Sequence, residues 1–311
     1  MQYFPLFLDL KSKPVLVVGG GEVASRKVDS LIRAGAAVTI ISPQIEPYLE
    51  GLIEQNMCRW IQGFYSQDLL KPEYVQVWAT TDNPSLNHQV HHDAKRKGIL
   101  VNVVDDQPYC DFITPSIINR GRIQLAISSG GAAPVLIRNV REKLESVLPQ
   151  NLALQADFAA SKRNDIKHKL PSVDERRKFW ERFFARTDVA SALNHSELER
   201  AYQQTLESDV VDKGSVTWVE YGSDVELLTL KALRLMQQAE LVLFDHECPF
   251  AFVDLVRRDA ERVEVTNEAQ LATLLQSAKA EQLRVVVFMS PKANRVTFMQ
   301  ANDRVLLLGK E

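Results

Sequence analysis

The feature that most constrains this chain is an apolar run, Val15-Leu16-Val17-Val18, followed at once by Gly19-Gly20-Gly21 and then by the helical pattern Glu22–Arg33. An unbroken run of this kind suits a strand buried on both faces, and such strands belong to parallel sheets covered by helices. In the helix, Val23, Ala24, Val28, Leu31 and Ile32 share a face, and Gly35 can cap its end. The spacing Gly19-x-Gly21-x-x-Ala24 has a physical reading. The first glycine permits the tight turn, the second lets a pyrophosphate approach the backbone, and the alanine lets helix and strand pack closely. Dinucleotide binding is therefore expected at Gly19, Gly21, Glu22, Val23 and Ala24; a tight turn without ligand is the alternative.

The alternation of strand and helix patterns continues to about residue 112. Val38-Thr39-Ile40-Ile41 reads as a second strand, residues 58–61, 75–79 and 100–104 as later ones, and residues 85–97 as a helix. The expected fold class is α/β, with a Rossmann-like, mostly parallel sheet over residues 1–112. The acidic residue that usually ends the second strand and binds a ribose is missing. Ser42 and Pro43 stand there, so a hydroxyl or backbone groups must hold the ribose, and the lack of an adjoining arginine favours NAD over NADP. Ligands of such sheets bind at the carboxyl ends of the strands. Thr80, Thr81 and Asp82 follow one strand, and Asn102, Asp105 and Asp106 end another, which places them for cofactor binding and chemistry. Asp and Asn also end strands simply because they suit turns.

After Pro115 the pattern changes. Ile123–Ile127 reads as a strand, Ser128-Ser129-Gly130-Gly131 as a turn and Pro134–Val147 as a helix, a piece (113–150) too small to stand alone. The turn's amides and hydroxyls could receive carboxylates or phosphates, or merely cap the helix. Arg120, Arg122, Arg138 and Arg141 surround it, either as anion receptors or as a solvated face. Residues 151–210 read as a charged helical region in which Phe179, Trp180, Phe183 and Phe184 lie largely on one face. Residues 211–311 return to strand and helix as a partial α/β domain, with strands at 216–219, Leu241–Phe244, Arg284–Met289 and 304–308 and a helix at 227–238.

A formal net charge of -3 gives no global reason to expect nucleic acid or an anionic membrane as partner. Three cysteines, Cys58, Cys110 and Cys248, lie far apart and outside any C-x-x-C pair, which argues against a disulfide framework or structural zinc and fits a reducing cytoplasm. No run approaches the ~20 apolar residues of a membrane span. His88, His91 and His92 share a helix but lack an evident carboxylate or cysteine partner, so a solvated face is expected rather than a metal site. Cys110 reads as structural.

As a set, these residues resemble the siroheme synthase family, specifically its precorrin-2 dehydrogenase and sirohydrochlorin ferrochelatase module. The matching stretches are Pro5-Leu6-Phe7, Val17 to Ala24 with Arg26-Lys27, Ala79-Thr80-Thr81-Asp82, Asn102-Val103-Val104-Asp105 and Phe112-Ile113-Thr114-Pro115-Ser116. Ser128-Ser129-Gly130-Gly131 and Val140-Arg141-Glu142-Lys143-Leu144-Glu145 continue the series, and Glu175-Arg176-Arg177 with Phe179-Trp180-Glu181 carries it to about residue 208. The resemblance implies NAD-dependent oxidation of precorrin-2 to sirohydrochlorin and ferrous iron insertion to give sirohaem. Asp105 would be the carboxylate for both steps and a transient Fe²⁺ contact, with Asp106 as its neighbouring alternative. Ser128, Ser129, Gly130, Arg120, Arg138 and Arg141 would meet the substrate's carboxylates. A homodimer formed through 113–150 is implied too. The alternatives are a dehydrogenase without chelatase activity and a non-catalytic sensor of NAD or tetrapyrrole.

The last hundred residues resemble the start of the family's methyltransferase half, through Leu227-Leu228-Thr229-Leu230-Lys231-Ala232-Leu233 and Gln238-Ala239-Glu240-Leu241-Val242. Where the family carries glycine-rich loops, this chain has Val219-Glu220-Tyr221-Gly222-Ser223-Asp224 and Phe288-Met289-Ser290-Pro291-Lys292. Methyl transfer from S-adenosylmethionine is therefore not expected.

Overall fold

A computed structural model describes residues 3–208, 214–291 and 298–309. The expected boundary at 210–211 and Lys292 lie outside the described residues. The chain divides into two compact units, one formed by residues up to Asp165 with Thr187–Leu198, the other by Ile166–Arg186 with the residues from Glu199 onward. The division runs through the helical stretch rather than around it.

The first unit opens with β1 (Pro14–Val18), α1 (Glu22–Arg33), β2 (Ala37–Ser42), α2 (Pro47–Glu54), β3 (Arg59–Gln62), β4 (Gln76–Ala79), α3 (Pro84–Lys97) and β5 (Leu100–Val103). All strands are parallel, in the order β3-β2-β1-β4-β5, so the chain reverses direction across the sheet between β1 and β4. Strand β1 is buried on both faces, as its unbroken apolar run requires. Leu16 and Val18 pack with Val77, Val90, Ala94 and Val101, and Val15 and Val17 with Ala24, Val28, Leu31 and Ile40. Helix α1 has the expected bounds, and Gly35 follows its last turn with φ +79°. Asn83 caps α3 by accepting from the Leu86 amide at 3.2 Å, ahead of Pro84 in the first turn, and Gly98 ends it in the left-handed region. Strand β5 stops at Val103, short of the expected 104, because Asp105 turns the backbone to φ +55°. Helix α2 was not foreshadowed by a strong apolar pattern and buries only Leu49.

Strand β6 (Ser116–Arg120), unanticipated, pairs antiparallel with β7 (Ile123–Ile127), and α4 (Pro134–Val147) follows without a single buried residue. The helical stretch comprises α5 (Leu152–Ser161), α6 (Arg163–Lys169), α7 (Val173–Phe184), α8 (Thr187–Ala190) and α9 (His195–Glu207).

The second unit holds β8 (Ser215–Glu220), α10 (Leu230–Met236), β9 (Leu241–Phe244), α11 (Phe250–Asp254), β10 (Glu261–Glu264), α12 (Glu268–Ala280), β11 (Arg284–Met289) and β12 (Arg304–Leu306). Its strands are also all parallel, in the order β10-β9-β11-β8-β12. The helix expected over 227–238 is shorter because Thr229 caps it, accepting from the Ala232 amide at 3.1 Å. Phe179 and Phe183 of α7 are fully buried and pack on Tyr202, whereas Phe184 stacks on Trp180 and is exposed, so the aromatic set is split between core and surface.

Within this unit an ion network ties α7 to the sheet. Glu240 accepts from the Arg284 amide at 2.8 Å and pairs with the guanidinium groups of Arg284 and Arg177, while Glu181 pairs with Arg257 at 3.1 Å and Arg284 at 2.7 Å. Burial by itself would raise the Glu240 pKa, but the Arg284 amide and the two guanidiniums outweigh it and hold the carboxyl below the usual range. A depressed pKa contributes stability that is present above the unfolded carboxylate value and lost as pH falls through the folded one. Calorimetry of Glu240→Gln should show a loss of about 2 kcal/mol at pH 7, from a charged hydrogen-bond set, that shrinks as pH falls through the carboxylate range.

Candidate functional site

The turn after β1 is built by two close approaches. Gly19 has φ +124°, and a Cβ there would lie 2.6 Å from Thr80 Oγ1. A Cβ on Gly20 would lie 2.3 Å from the Gln44 carbonyl oxygen and 2.8 Å from Ser42 Oγ. Gly20 was not singled out by the glycine spacing, yet it packs tightest on its neighbours. Gly21 differs: nothing lies within 4 Å of an added Cβ, and it caps α1 without any side-chain hydrogen bond. Open space in front of a helix start without side-chain caps is what a pyrophosphate needs, with Ala24 fully buried behind it and Glu22 and Val23 in the first turn.

The flanking residues brace this turn. Thr80 donates its hydroxyl to the Val18 carbonyl at 2.9 Å. Thr81 donates to Asn87 Oδ1 at 2.6 Å, and Asn87, buried on α3, donates back to the Thr81 carbonyl at 2.8 Å. Asp82 stands exposed beside them. The Ser42 hydroxyl is buried and donates to the Gln44 carbonyl at 2.5 Å. The Ser42 proton is thus engaged within its own turn, and the Pro43 carbonyl accepts from Gln62 Nε2 at 3.5 Å. Asn102 likewise is buried and directs its amide to the Phe112 carbonyl at 2.8 Å, so it supports the crevice rather than offering a free donor to it.

Asp105 is exposed beyond β5. Its neighbour Asp106 is held instead by His88 Nε2 at 2.6 Å. Lys27, from α1, lies over the Trp78 ring at 5.2 Å and donates to Thr114 Oγ1 at 3.1 Å. Burial pushes its ammonium pKa down, Arg26 adds to this, and Asp105 and Cys110 push back. Lys27 therefore places a cation in electrostatic range of Asp105. Cys110 donates to the Val103 carbonyl at 3.1 Å, and burial raises its pKa, which is the behaviour of a structural thiol.

The Ser128–Gly131 turn is brought to the same end of the sheet by Gln107, whose amide donates to the Gly130 carbonyl at 3.1 Å and to Tyr3 Oη at 2.6 Å. Ser128 Oγ accepts from the Gly130 amide and Ser129 Oγ from the Ala133 amide, each at 3.0 Å. The arginines separate. Arg120 is largely buried and paired with Glu145, so its guanidinium is engaged within the protein. Arg141 shares Glu145 more loosely at 3.6 Å, Arg122 pairs with Asp157, and Arg138 is exposed with no ion pair among the described residues. Gln107 and Tyr3 carry no signal in the sequence because their hydrogen bonds span 23 and 104 residues.

In the second unit the residues that follow β8 are closely packed. Tyr221 is buried and donates to Asp245 Oδ1 at 2.8 Å, and a Cβ on Gly222 would meet Leu308 at 2.7 Å. Among the described residues no group of three or more His, Cys, Asp or Glu is placed to hold a metal ion. Nor is any described helix long and apolar enough to cross a membrane.

Comparison with known proteins gives matches along the chain. Residues 6–116 match a family model described as "Putative NAD(P)-binding", and residues 151–208 match the "Sirohaem synthase dimerisation region", which lies beyond the 113–150 segment expected to dimerise. Siroheme synthase 1 of Serratia proteamaculans is 42% identical over 97% of this chain and 64% of its own length. The siroheme synthases of Pseudoalteromonas atlantica and Zymomonas mobilis are 42% and 40% identical over 97% of this chain, and 66% and 64% of their own. The chain thus spans a little under two thirds of these relatives. A solved structure, "SirC, precorrin-2 dehydrogenase", shares the fold with a TM-score of 0.53 at 24% identity, over 66% of this chain and 100% of that one.

Proposed function

We propose that this chain, similar to siroheme synthases along 97% of its length, acts in sirohaem biosynthesis. It oxidises precorrin-2 to sirohydrochlorin with NAD and inserts ferrous iron to give sirohaem. The observation that carries this reading is the convergence, at one end of one parallel sheet, of the open Gly21 turn, the exposed Asp105 carboxylate and the Ser128–Gly131 turn.

The residues fit a dinucleotide: Gly21 leaves space where Gly19 and Gly20 leave none, and the start of α1 carries no side-chain cap. Gly19 to Ala24 would hold the pyrophosphate, with Thr80, Thr81 and Asp82 lining the neighbouring strand end. When bound, NAD⁺ supplies the hydride acceptor. Asp105 takes the proton that precorrin-2 loses alongside the hydride, and an exposed carboxylate can exchange that proton with water. In chelation two pyrrolic protons must leave as Fe²⁺ enters; the same carboxylate takes them one at a time, passes each to water and, once ionised, can touch the metal in passing while the macrocycle nitrogens become the ligands. Amides and hydroxyls of Ser128, Ser129 and Gly130, with Arg138 and Arg141, receive the substrate's carboxylates. No methyl transfer is assigned to the second unit.

The chain acts as a homodimer in the cytoplasm, without nucleic acid or membrane. The three free cysteines support a reducing compartment. Helix α4 supports dimerisation, since it exposes Val135, Leu136 and Val147 by 62, 57 and 71%, and the β6–β7 hairpin exposes Ile117 and Ile123 as well. Leu136→Glu should convert the dimer to a monomer by light scattering, with catalytic loss.

The test is anaerobic turnover of precorrin-2 with NAD⁺, then Fe²⁺, following NADH and the tetrapyrrole spectrum. NADH formation followed by sirohaem is expected. NADH without metal insertion would leave a dehydrogenase alone, and neither, with NAD still bound, would make the protein a sensor.

A further inference from the structure

Asp105 makes no hydrogen bond of its own among the described residues, so the backbone on either side sets where its carboxylate points. On one side the Val104 amide donates to the Ala79 carbonyl at 3.0 Å and continues the sheet. On the other the chain enters a short 3-10 turn, Gln107–Tyr109, and two histidines of α3 hold it. His88 Nε2 contacts Asp106 Oδ2 at 2.6 Å, and its ring stacks on Tyr109 with centroids 3.9 Å apart and planes 14° apart. One helical turn later, His91 Nδ1 donates to the Tyr109 carbonyl at 2.9 Å. Spacing of three puts both rings on one face of α3, against one turn of backbone.

We propose that His88 is a positioning residue for Asp105: with His91 beneath it, its bond to Asp106 and its stack on Tyr109 clamp the segment 106–109. The clamp keeps Asp105 in its left-handed conformation with the carboxylate free. A left-handed φ is uncommon for a residue with a side chain and persists where its surroundings over-determine it. The same clamp fixes Gln107, which reaches across to the Gly130 carbonyl, so His88 also sets the distance between the acid and the substrate-side turn. This accounts for two of the three α3 histidines without a metal. The proposal rests on the function assigned above.

Two variants of the full chain separate bond from ring. His88→Phe keeps an aromatic face for Tyr109 and removes the bond; His88→Gln restores a donor near the Nε2 position without the ring. With saturating precorrin-2, His88→Phe is expected to lower kcat for dehydrogenation about 10-fold while the KM for NAD⁺ stays within about 2-fold, and His88→Gln to recover most of kcat. Amide hydrogen exchange over residues 104–110 should quicken about 10-fold in His88→Phe and much less in His88→Gln. Unchanged exchange together with kcat within about 2-fold of the parent in His88→Phe would overturn the inference. Equal losses in both variants, or a KM for NAD⁺ that rises in step with the fall in kcat, would overturn it as well. If the parent chain itself fails to form NADH, the assigned function falls, and the exchange rates still decide whether the clamp exists.

Discussion

Asp105→Asn should lower both NADH formation from precorrin-2 and iron insertion by about 10²- to 10⁴-fold, the range for loss of a positioned general acid–base group. NAD affinity and Tm should stay unchanged. Asparagine is the informative replacement, because Asp105 sits at φ +55° and asparagine tolerates that conformation while alanine does not. The carboxylate is exposed, so its removal leaves no buried partner unsatisfied. Titration with NAD and a thermal melt check that only chemistry was lost. Retention of both activities would move the role to Asp106, whose carboxylate is already engaged by His88.

The second large effect contrasts two adjacent glycines. Gly20→Ala places a methyl group 2.3 Å from a backbone carbonyl oxygen and 2.8 Å from both Ile45 Cγ2 and Ser42 Oγ, so the β2 turn must move. Such overpacking costs about 1–3 kcal/mol. Tm should fall, and NAD binding should weaken because the turn that holds the pyrophosphate has shifted. Gly21→Ala meets nothing within 4 Å and starts from φ -84°, which alanine adopts freely. It should fold as the parent does, yet bind NAD at least 10-fold more weakly, since the new Cβ occupies the space left for the ligand. Calorimetric titration and a melt for each variant check the contrast. Equal NAD affinity in Gly21→Ala and the parent would place the pyrophosphate elsewhere.

Much of the first unit is legible in the sequence. Apolar stretches at β1, β2, β4 and β5, and a helix face repeating at Ala24, Val28 and Leu31, are local signals, and each forms the expected element. Strand β6 was hidden because Ile117, Asn119 and the residues around them lack clean alternation, and its partner β7 decides its state. In the second unit β10 is hidden for a similar reason. Glu261–Glu264 is polar and mostly exposed, and becomes a strand by pairing with β9.

Local sequence thus determined the elements whose hydrophobic period or turn chemistry is written within about ten residues, and it determined that Asp105 would lie at a carboxyl end of the first sheet. Tertiary structure decided which polar groups remain free there. Ser42 and Asn102 turned inward to backbone carbonyls, Arg120 was neutralised by Glu145, and His88 took Asp106, leaving Asp105 beside the Gln107–Gly130 bridge. The physical reason is that a buried polar group must find a partner wherever the fold brings one near, and that partner can stand anywhere in the chain.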